Sequence, residues 1–165
     1  MFYTQDATFR LMYCSPQTLF LVSSVIWCAV ILSFPWLVQS GHIRMAFAIS
    51  LFFSHICHQN PARSFSLTGI PLPVCARCTF TYLGWLGGLM IFAILGQQPK
   101  SNHTLKCLLL LAAVPLALDV GLDILGVCNN TFLSRSLTGA LFGGCSSFYL
   151  THTIQGLGQE KKIWE

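Results

Sequence analysis

Charged side chains are scarce in this sequence, since Asp, Glu, Lys and Arg make up 8% of its 165 residues, against about 25% in ordinary soluble domains. Hydrophobic residues supply 54%. This composition excludes an ordinary soluble domain and indicates a membrane protein. The net charge of +4 is small, and the Lys and Arg residues are scattered along the sequence. We therefore expect no nucleic-acid partner. The sequence also lacks a basic stretch before a short apolar run near residue 1, so we expect no cleavable signal peptide.

Long apolar runs predict an all-α fold, a polytopic bundle of transmembrane helices. A helix needs about 17–25 mostly apolar residues to cross a bilayer, and four runs reach that length, while one shorter run becomes a fifth span if it extends through Cys57. We predict about five spans in a single integral membrane domain over residues 1–165, with an interfacial or re-entrant helix as the alternative for the second. The predicted spans are residues 17–38, 42–57, 76–95, 105–127 and 132–156.

Glycines at helical spacing in the third and fifth predicted spans favour close helix packing. They are Gly84, Gly87 and Gly88 in one run and Gly139, Gly143 and Gly144 in the other. We interpret them as a packing signal.

Basic residues give a predicted orientation in the membrane. With five spans, the N-terminus would share a face with residues 55–78 and with the turn before residue 132. When Arg77 and Arg135 are set aside as site residues, this face keeps fewer Lys and Arg than the other. The positive-inside rule then predicts a cytoplasmic C-terminus, with residues 55–78 facing outward. We expect a prokaryotic inner membrane.

The polar segment, His55 to Cys78, interrupts the apolar runs with the sequence HICHQNPARSFSLTGIPLPVCARC. Cys75 and Cys78 have the C-x-x-C spacing that lets two thiolates bind one tetrahedral ion. Cys57 and His58 complete a Cys₃His ligand set, with His55 as the substitute for His58. We expect zinc in this site, with iron or no metal as the alternatives.

Three other interpretations of these cysteines remain open. A disulfide among Cys57, Cys75 and Cys78 would suit an outward-facing loop. A reactive C-x-x-C pair would suit a thiol oxidoreductase, because this motif lowers a thiol pKa. The third interpretation is that the cysteines are small buried hydrophobic residues without chemistry.

A second group of ionisable residues lies in and after the fourth predicted span. Asp119 and Asp123 are four residues apart and share a helix face, and Arg135 opens the next run. Ionisable residues inside a span mark functional sites by default, so we take Asp119, Asp123 and Arg135 as catalytic candidates. An anion site of Arg63, Arg77 and Arg135 would complete one pocket with the cysteines. The alternative is an Asp–Arg pair that ties two helices together.

Several short motifs together resemble an uncharacterised family of prokaryotic integral membrane proteins, known as a domain of unknown function. They are CHQ at 57–59, RSF at 63–65, LPVCARCT at 72–79 and YLG at 82–84. A second stretch with Asp119, Gly126, Arg135 and Thr138-Gly139 is also similar to the family. The chain departs from the family pattern at Phe80, Val120 and Phe132. The resemblance implies a functional surface of Cys57, His58, Gln59, Arg63, Cys75, Arg77, Cys78, Asp119 and Arg135.

These patterns support two functions. In the first, the chain is a non-catalytic accessory subunit of a larger redox or photosynthetic membrane complex, with the bilayer, other membrane subunits and lipid or pigment molecules as its contacts. In the second it is a membrane enzyme, either zinc-dependent on a lipid or phosphate headgroup or a quinone-linked thiol–disulfide oxidoreductase. A transporter ranks last because the sequence contains no inverted repeat.

Overall fold

The computed structural model describes residues 16–95, 102–127 and 130–161, and within them the chain is helical apart from one short hairpin. The predicted all-α fold is confirmed. The five helices are α1 (Pro16–Gln39), α2 (Ile43–Ser54), α3 (Ala76–Leu95), α4 (Asn102–Ile124) and α5 (Phe132–Lys161). Between α2 and α3, the polar segment forms a 3₁₀ turn, Pro61–Arg63, and an antiparallel hairpin of β1 (Ser66–Leu67) and β2 (Ile70–Pro71).

Three of these helices are long and apolar enough to cross a membrane over the ranges Gln17–Gln39, Ala76–Ile94 and His103–Ile124. In α5, small and hydroxyl-bearing residues such as Ser134, Ser136 and Thr138 dilute the apolar character. The predicted span over residues 132–156 therefore stays a prediction.

The second helix is shorter than the predicted span over residues 42–57. It begins at Ile43 and ends at Ser54, and its 12 residues cover about 18 Å at about 1.5 Å per residue. That length falls short of the hydrocarbon core, which is about 30 Å thick. The chain leaves the helix at His55, where the polar segment begins, and Cys57 lies beyond the helix. The structure thus favours the alternative of a helix that does not cross the bilayer.

Helices α3 and α5 form a parallel pair whose backbones meet at small residues, as the glycine spacing predicted. A Cβ atom added at Gly84 would lie 2.3 Å from the backbone oxygen of Ala140, and one added at Gly143 would lie 2.1 Å from that of Thr81. Such spacing lets two helices approach without side chains between them, which is how membrane helices gain packing contacts. Because Arg77 lies at the start of α3 opposite Gly139 near the start of α5, this pair places both helix starts on one face.

Helix α1 runs antiparallel to α3 and contributes side chains to the buried core next to the polar segment. Its Trp27 makes an edge contact with Tyr82 of α3 at 5.7 Å between ring centroids. Farther along α1, the Gln39 amide donates a hydrogen bond to the Thr68 hydroxyl in the hairpin. A cluster of buried side chains fills the space between α1, α2 and the polar segment: Ile31, Phe53, Cys57, Leu72 and Val74.

This packing places the start of α1 and the polar segment on opposite faces. Helix α1 is long enough to cross a membrane and ends beside the hairpin, so its start lies far from the polar segment. The position of the N-terminus stays a prediction. The polar segment and the turn before α5 lie on one face, as predicted, because Arg63 of the polar segment contacts Asp123 at the end of α4. Residues 1–15 lie outside the described residues.

The close α3–α5 contact predicts opposite results for two neighbouring glycines. Gly84→Ala places its methyl group against the Ala140 backbone and should destabilise the folded protein by about 1–3 kcal/mol, the usual cost of overpacking. Gly87→Ala is the matched control, because a Cβ there meets nothing within 4 Å. Thermal unfolding in detergent, followed by circular dichroism, measures both variants. Equal melting temperatures for the two would contradict this packing.

Candidate metal centre

Three cysteine side chains converge where the polar segment meets α3. The Sγ atoms of Cys57, Cys75 and Cys78 all lie within 4.8 Å of one another. Cys57 follows the end of α2 and is buried, while Cys75 and Cys78 flank the start of α3 and are half-buried. Two segments far apart in the sequence thus bring three soft ligands to one point. Three thiolates at this spacing are a ligand set for a zinc-like ion.

Backbone hydrogen bonds hold the Cys57 sulfur in place. The Cys57 N–H donates to the Phe53 carbonyl at 2.8 Å, which continues the last turn of α2 into the polar segment. The Cys75 N–H then donates to the Cys57 Sγ at 3.2 Å. Side-chain hydrogen bonds from Cys75 and then Cys78 lower the pKa of the Cys57 thiol, against the opposing effect of burial. A lowered pKa favours the thiolate, which is the form that binds metals.

The Gln59 side chain fixes the chain next to this cluster. Its amide Nε2 donates to the Ser50 carbonyl of α2 at 2.6 Å and to the Pro73 carbonyl at 2.9 Å. Its backbone has a φ of +51°, a left-handed conformation that is uncommon outside glycine. Gln59 therefore links α2 to the residues before Cys75. The sequence placed Gln59 among the functional residues only through the family resemblance, because neither its backbone angle nor its two acceptors can be read from the pattern.

The two predicted histidine ligands do not join the sulfur atoms. His58 and His55 are both exposed, and the His55 Nδ1 lies 2.9 Å from the Leu51 carbonyl of its own helix. In the described part of the chain, only the three sulfurs of this group meet the 4.8 Å spacing. The Cys₃ part of the predicted set is brought together, whereas His58 as a fourth ligand stays a prediction.

The described cysteines are all free thiols, the three of the cluster included. The three sulfurs therefore lie together as separate thiols, an arrangement that suits metal binding. A disulfide among Cys57, Cys75 and Cys78 stays a prediction.

The predicted acidic and basic residues form ion pairs with one another. Asp123 accepts from Arg63 at 2.9 Å and lies 3.4 Å from Arg135. One turn earlier on α4, Asp119 pairs with Arg77. Both carboxylates thus use the shared helix face that their spacing predicted. All three arginines proposed for anion binding already contact carboxylates, which is the arrangement expected when an Asp–Arg pair ties helices together.

These ion pairs connect the cysteine cluster to α4. Arg77 stands between Cys75 and Cys78, and its partner Asp119 lies on α4, so the start of α3 is held against that helix. Arg77 keeps its Nε buried without a hydrogen-bond partner among the described residues. The two predicted clusters therefore adjoin each other through Arg77.

The end of α4 depends on a glycine of the second family-like stretch. Gly126 has a φ of +68°, and the Val127 N–H donates back to the Leu122 carbonyl at 3.1 Å. A left-handed glycine at this position is the usual way to end a helix. It closes α4 one turn after Asp123, which sets that carboxylate at the end of the helix near Arg63 and Arg135.

A family described as a predicted membrane protein, DUF2085, matches residues 57–149. The match begins at Cys57 and includes the cysteine cluster, both aspartates and Arg135. It covers more than half of the chain, and the chain therefore belongs to this family of predicted membrane proteins.

Two archaeal proteins are similar to the chain. An uncharacterized protein of Methanocaldococcus jannaschii is 31% identical over 119 residues, which are 71% of this chain and 76% of that protein. An uncharacterized protein of Methanothermobacter thermautotrophicus is 31% identical over 105 residues, 64% of this chain and 92% of that protein. No solved structure matches the chain.

The ion pairs predict unequal effects for two substitutions that touch the same carboxylate. Asp123→Asn removes both pairs and leaves Arg135, whose side chain is 8% exposed, without a countercharge. Breaking a buried pair in this way costs about 3–5 kcal/mol. Arg63→Gln removes a pair in which the arginine side chain is 49% exposed, and such pairs contribute about 0–1 kcal/mol. Thermal unfolding of the two variants should differ accordingly, and a larger loss in Arg63→Gln would contradict the assignment.

Proposed function

We propose that this member of the family of predicted membrane proteins binds a zinc ion through the thiolates of Cys57, Cys75 and Cys78. The ion acts as a structural link at one membrane face, and the chain is not itself a catalyst. The observation that carries this proposal is the convergence of three sulfur atoms within 4.8 Å from two separate segments. Thiolate is a preferred ligand for zinc in structural sites.

A structural role agrees with what the ligands connect. Cys57 belongs to the exit of α2, and Cys75 and Cys78 belong to the start of α3, so one ion would close the whole polar segment into a loop. An ion that joins both ends of a loop adds metal–ligand binding free energy to the folded state, because the site does not exist in the unfolded chain. Without the ion, the hydrogen bonds of Gln59 and Cys75 and the core packing of Cys57 against Leu72 and Val74 hold these two ends together.

The pairing of the ionisable residues also favours a non-catalytic role. An enzyme acting on a phosphate or lipid headgroup needs a basic or acidic side chain directed at its substrate. In the described part of the chain, Asp119 and Asp123 bind arginines, and Arg63, Arg77 and Arg135 bind these carboxylates. Each group that was a catalytic or anion-binding candidate is thus used in helix packing.

The exposed surface supports the proposal that the chain is an accessory subunit of a larger membrane complex. Apolar side chains stay exposed around the turn between α4 and α5, with Leu125 74%, Val127 67% and Leu133 69% exposed. This turn adjoins the ion pairs of Asp123, where polar groups concentrate. Exposed apolar residues beside polar ones are typical of protein interaction sites. Other membrane subunits are the partners we propose, in a redox or photosynthetic complex.

The proposed orientation follows from the same charges. On the face of the polar segment, Arg63, Arg77 and Arg135 are neutralised by aspartates, which leaves Arg44 at the start of α2. Lys106 near the start of α4 lies towards the opposite face. The positive-inside rule then places the polar segment outside and the opposite face, where α5 ends, in the cytoplasm of a prokaryotic cell. Residues 162–165 lie outside the described residues.

A thiol–disulfide oxidoreductase is the second candidate, favoured by the third thiol. Cys57 lies within 4.8 Å of both members of the C-x-x-C pair, so it is close enough to attack a disulfide between Cys75 and Cys78. Exchange of this kind needs a thiolate next to the disulfide it attacks. This candidate differs from the first in requiring sulfur–sulfur bonds in place of metal–sulfur bonds.

Elemental analysis of the detergent-purified chain tests the metal proposal. We expect about one zinc per chain, because three thiolates supply most of a tetrahedral site. The double variant Cys75→Ser/Cys78→Ser should lose the metal, and Cys57→Ser should bind it much more weakly. Cys107→Ser is the matched control and should keep it, since Cys107 lies outside the cluster.

A thiol count on the same samples separates the two candidates. Unfolded without reductant, the metal-linked protein should release all eight cysteines as free thiols. Absence of zinc together with two fewer free thiols would contradict the structural site and support the oxidoreductase.

A His58→Ala variant tests the fourth ligand. If His58 completes the site, the variant should bind zinc roughly tenfold or more weakly, in the range seen when zinc sites lose supporting groups. His55→Ala is the control, because the His55 ring lies against the Leu51 carbonyl. Unchanged zinc affinity in His58→Ala would contradict the Cys₃His set and leave a site of three thiolates with an open position.

A further inference from the structure

A cavity separate from the cysteine cluster lies between three helices. Helices α1 and α5 both pack on α3 and make few contacts with each other, and the open wedge between them has a volume of about 450 Å³. A volume of this order is typical of sites for small molecules. Aromatic rings from all three helices form much of the wall: Phe20, Trp27, Tyr82, Trp85 and Phe142.

The serine and threonine hydroxyl groups named here are already satisfied within their own helices. Ser24 donates to the Phe20 carbonyl at 2.7 Å, Thr81 to the Arg77 carbonyl at 2.9 Å, and Ser146 to the Phe142 carbonyl at 2.6 Å. Serine and threonine in membrane helices commonly bond in this way. These groups therefore add little polar character to the cavity.

The indole of Trp27 is the exception on this wall. Its Nε1 is buried and has no hydrogen bond of ordinary geometry with the described residues, and the polar group that interacts with it is the Tyr82 hydroxyl on the same wall. Buried indole N–H groups normally have an acceptor, and a water molecule needs two or more polar partners to stay in an apolar cavity. The unmatched donor thus indicates a ligand that brings an acceptor with it.

We propose that this cavity binds the planar ring of a lipid-soluble molecule that carries a carbonyl acceptor, the chemistry of a quinone headgroup. The aromatic walls stack on the ring, and Trp27 Nε1–H donates to its carbonyl oxygen. A lipid acyl chain would fill the same volume, but it has no acceptor for the indole and no π face for the surrounding rings. The donor and the rings together favour the quinone-like ring.

The cavity adjoins the cysteine cluster through Tyr82. This residue lines the cavity and also packs against the buried core that contains Cys57. The binding proposal does not depend on a metal at the thiols, because the residues that would contact the ring are not metal ligands.

Equilibrium dialysis of 2,3-dimethyl-1,4-naphthoquinone, which has no tail and no free quinoid carbon for the cysteines to alkylate, tests the proposal with the full chain in phosphatidylcholine nanodiscs. We expect saturable binding of about one molecule per chain.

Trp27→Phe keeps an aromatic ring and removes the donor, so it should weaken binding by about 3- to 10-fold, the effect of one neutral hydrogen bond. Ser24→Phe places a ring in the cavity and should abolish binding. Leu19→Phe is the matched control, because Leu19 lies on the same helix outside the cavity wall and is 62% exposed.

Three results would overturn the proposal. The first is uptake that never saturates and is equal in the Ser24→Phe variant, which would mean simple partitioning into the bilayer. The second is unchanged affinity in Trp27→Phe. The third is equally tight binding of 2,3-dimethylnaphthalene, a ring of similar shape without carbonyls. Circular dichroism of each variant confirms that a loss of binding is not a loss of fold, and zinc content measured in parallel reports on the metal proposal separately.

Discussion

The approach of the buried Cys57 sulfur to the start of α3 is the contact on which the polar face of this protein depends. Cys57 lies in the hydrophobic core with Phe53 and Val74, and its sulfur accepts the Cys75 N–H at 3.2 Å. This one side chain is therefore both a core residue and a ligand candidate. Because it fixes where α3 begins, it also fixes Arg77 against Asp119 and so the position of α4.

The membrane part of the fold is organised around α3. Its small residues let the α5 backbone approach on one side, while Tyr82 meets Trp27 of α1 on another. Lipid offers no hydrophobic driving force for association between helices, so close packing and polar contacts have to supply it. The α3–α5 pair uses close packing, and the ion pairs to α4 supply the polar contacts. The cavity lies where α1 and α5 diverge from this shared neighbour.

Features with a fixed sequence period could be predicted, and features that depend on a partner could not. The helical spacing of the glycines within α3 and within α5, Gly84 and Gly143 among them, indicated close packing. The spacing of Asp119 and Asp123 indicated a shared helix face. Helical geometry alone sets both features. The C-x-x-C pair indicated convergent thiols for the same reason. The end of α2 was missed because its apolar residues continue to Ile56, and hydropathy does not register the turn that the polar segment imposes after Ser54.

The partners of the arginines were beyond reach for a different reason. A lone arginine in an apolar chain indicates a negative partner, but its sequence does not say whether that partner is a ligand phosphate or a carboxylate on another helix. Only the fold shows that Arg77 and Arg135 reach α4. Likewise, Gln59 bridges α2 and Pro73 through a left-handed backbone that no periodicity encodes.

X-ray absorption at the zinc edge measures most directly whether three sulfur atoms share one metal ion. We expect a first shell with three sulfur ligands at about 2.3 Å and one lighter ligand at about 2.0–2.1 Å. A first shell of nitrogen and oxygen alone, at whatever zinc content, would place the metal elsewhere and contradict the metal proposal.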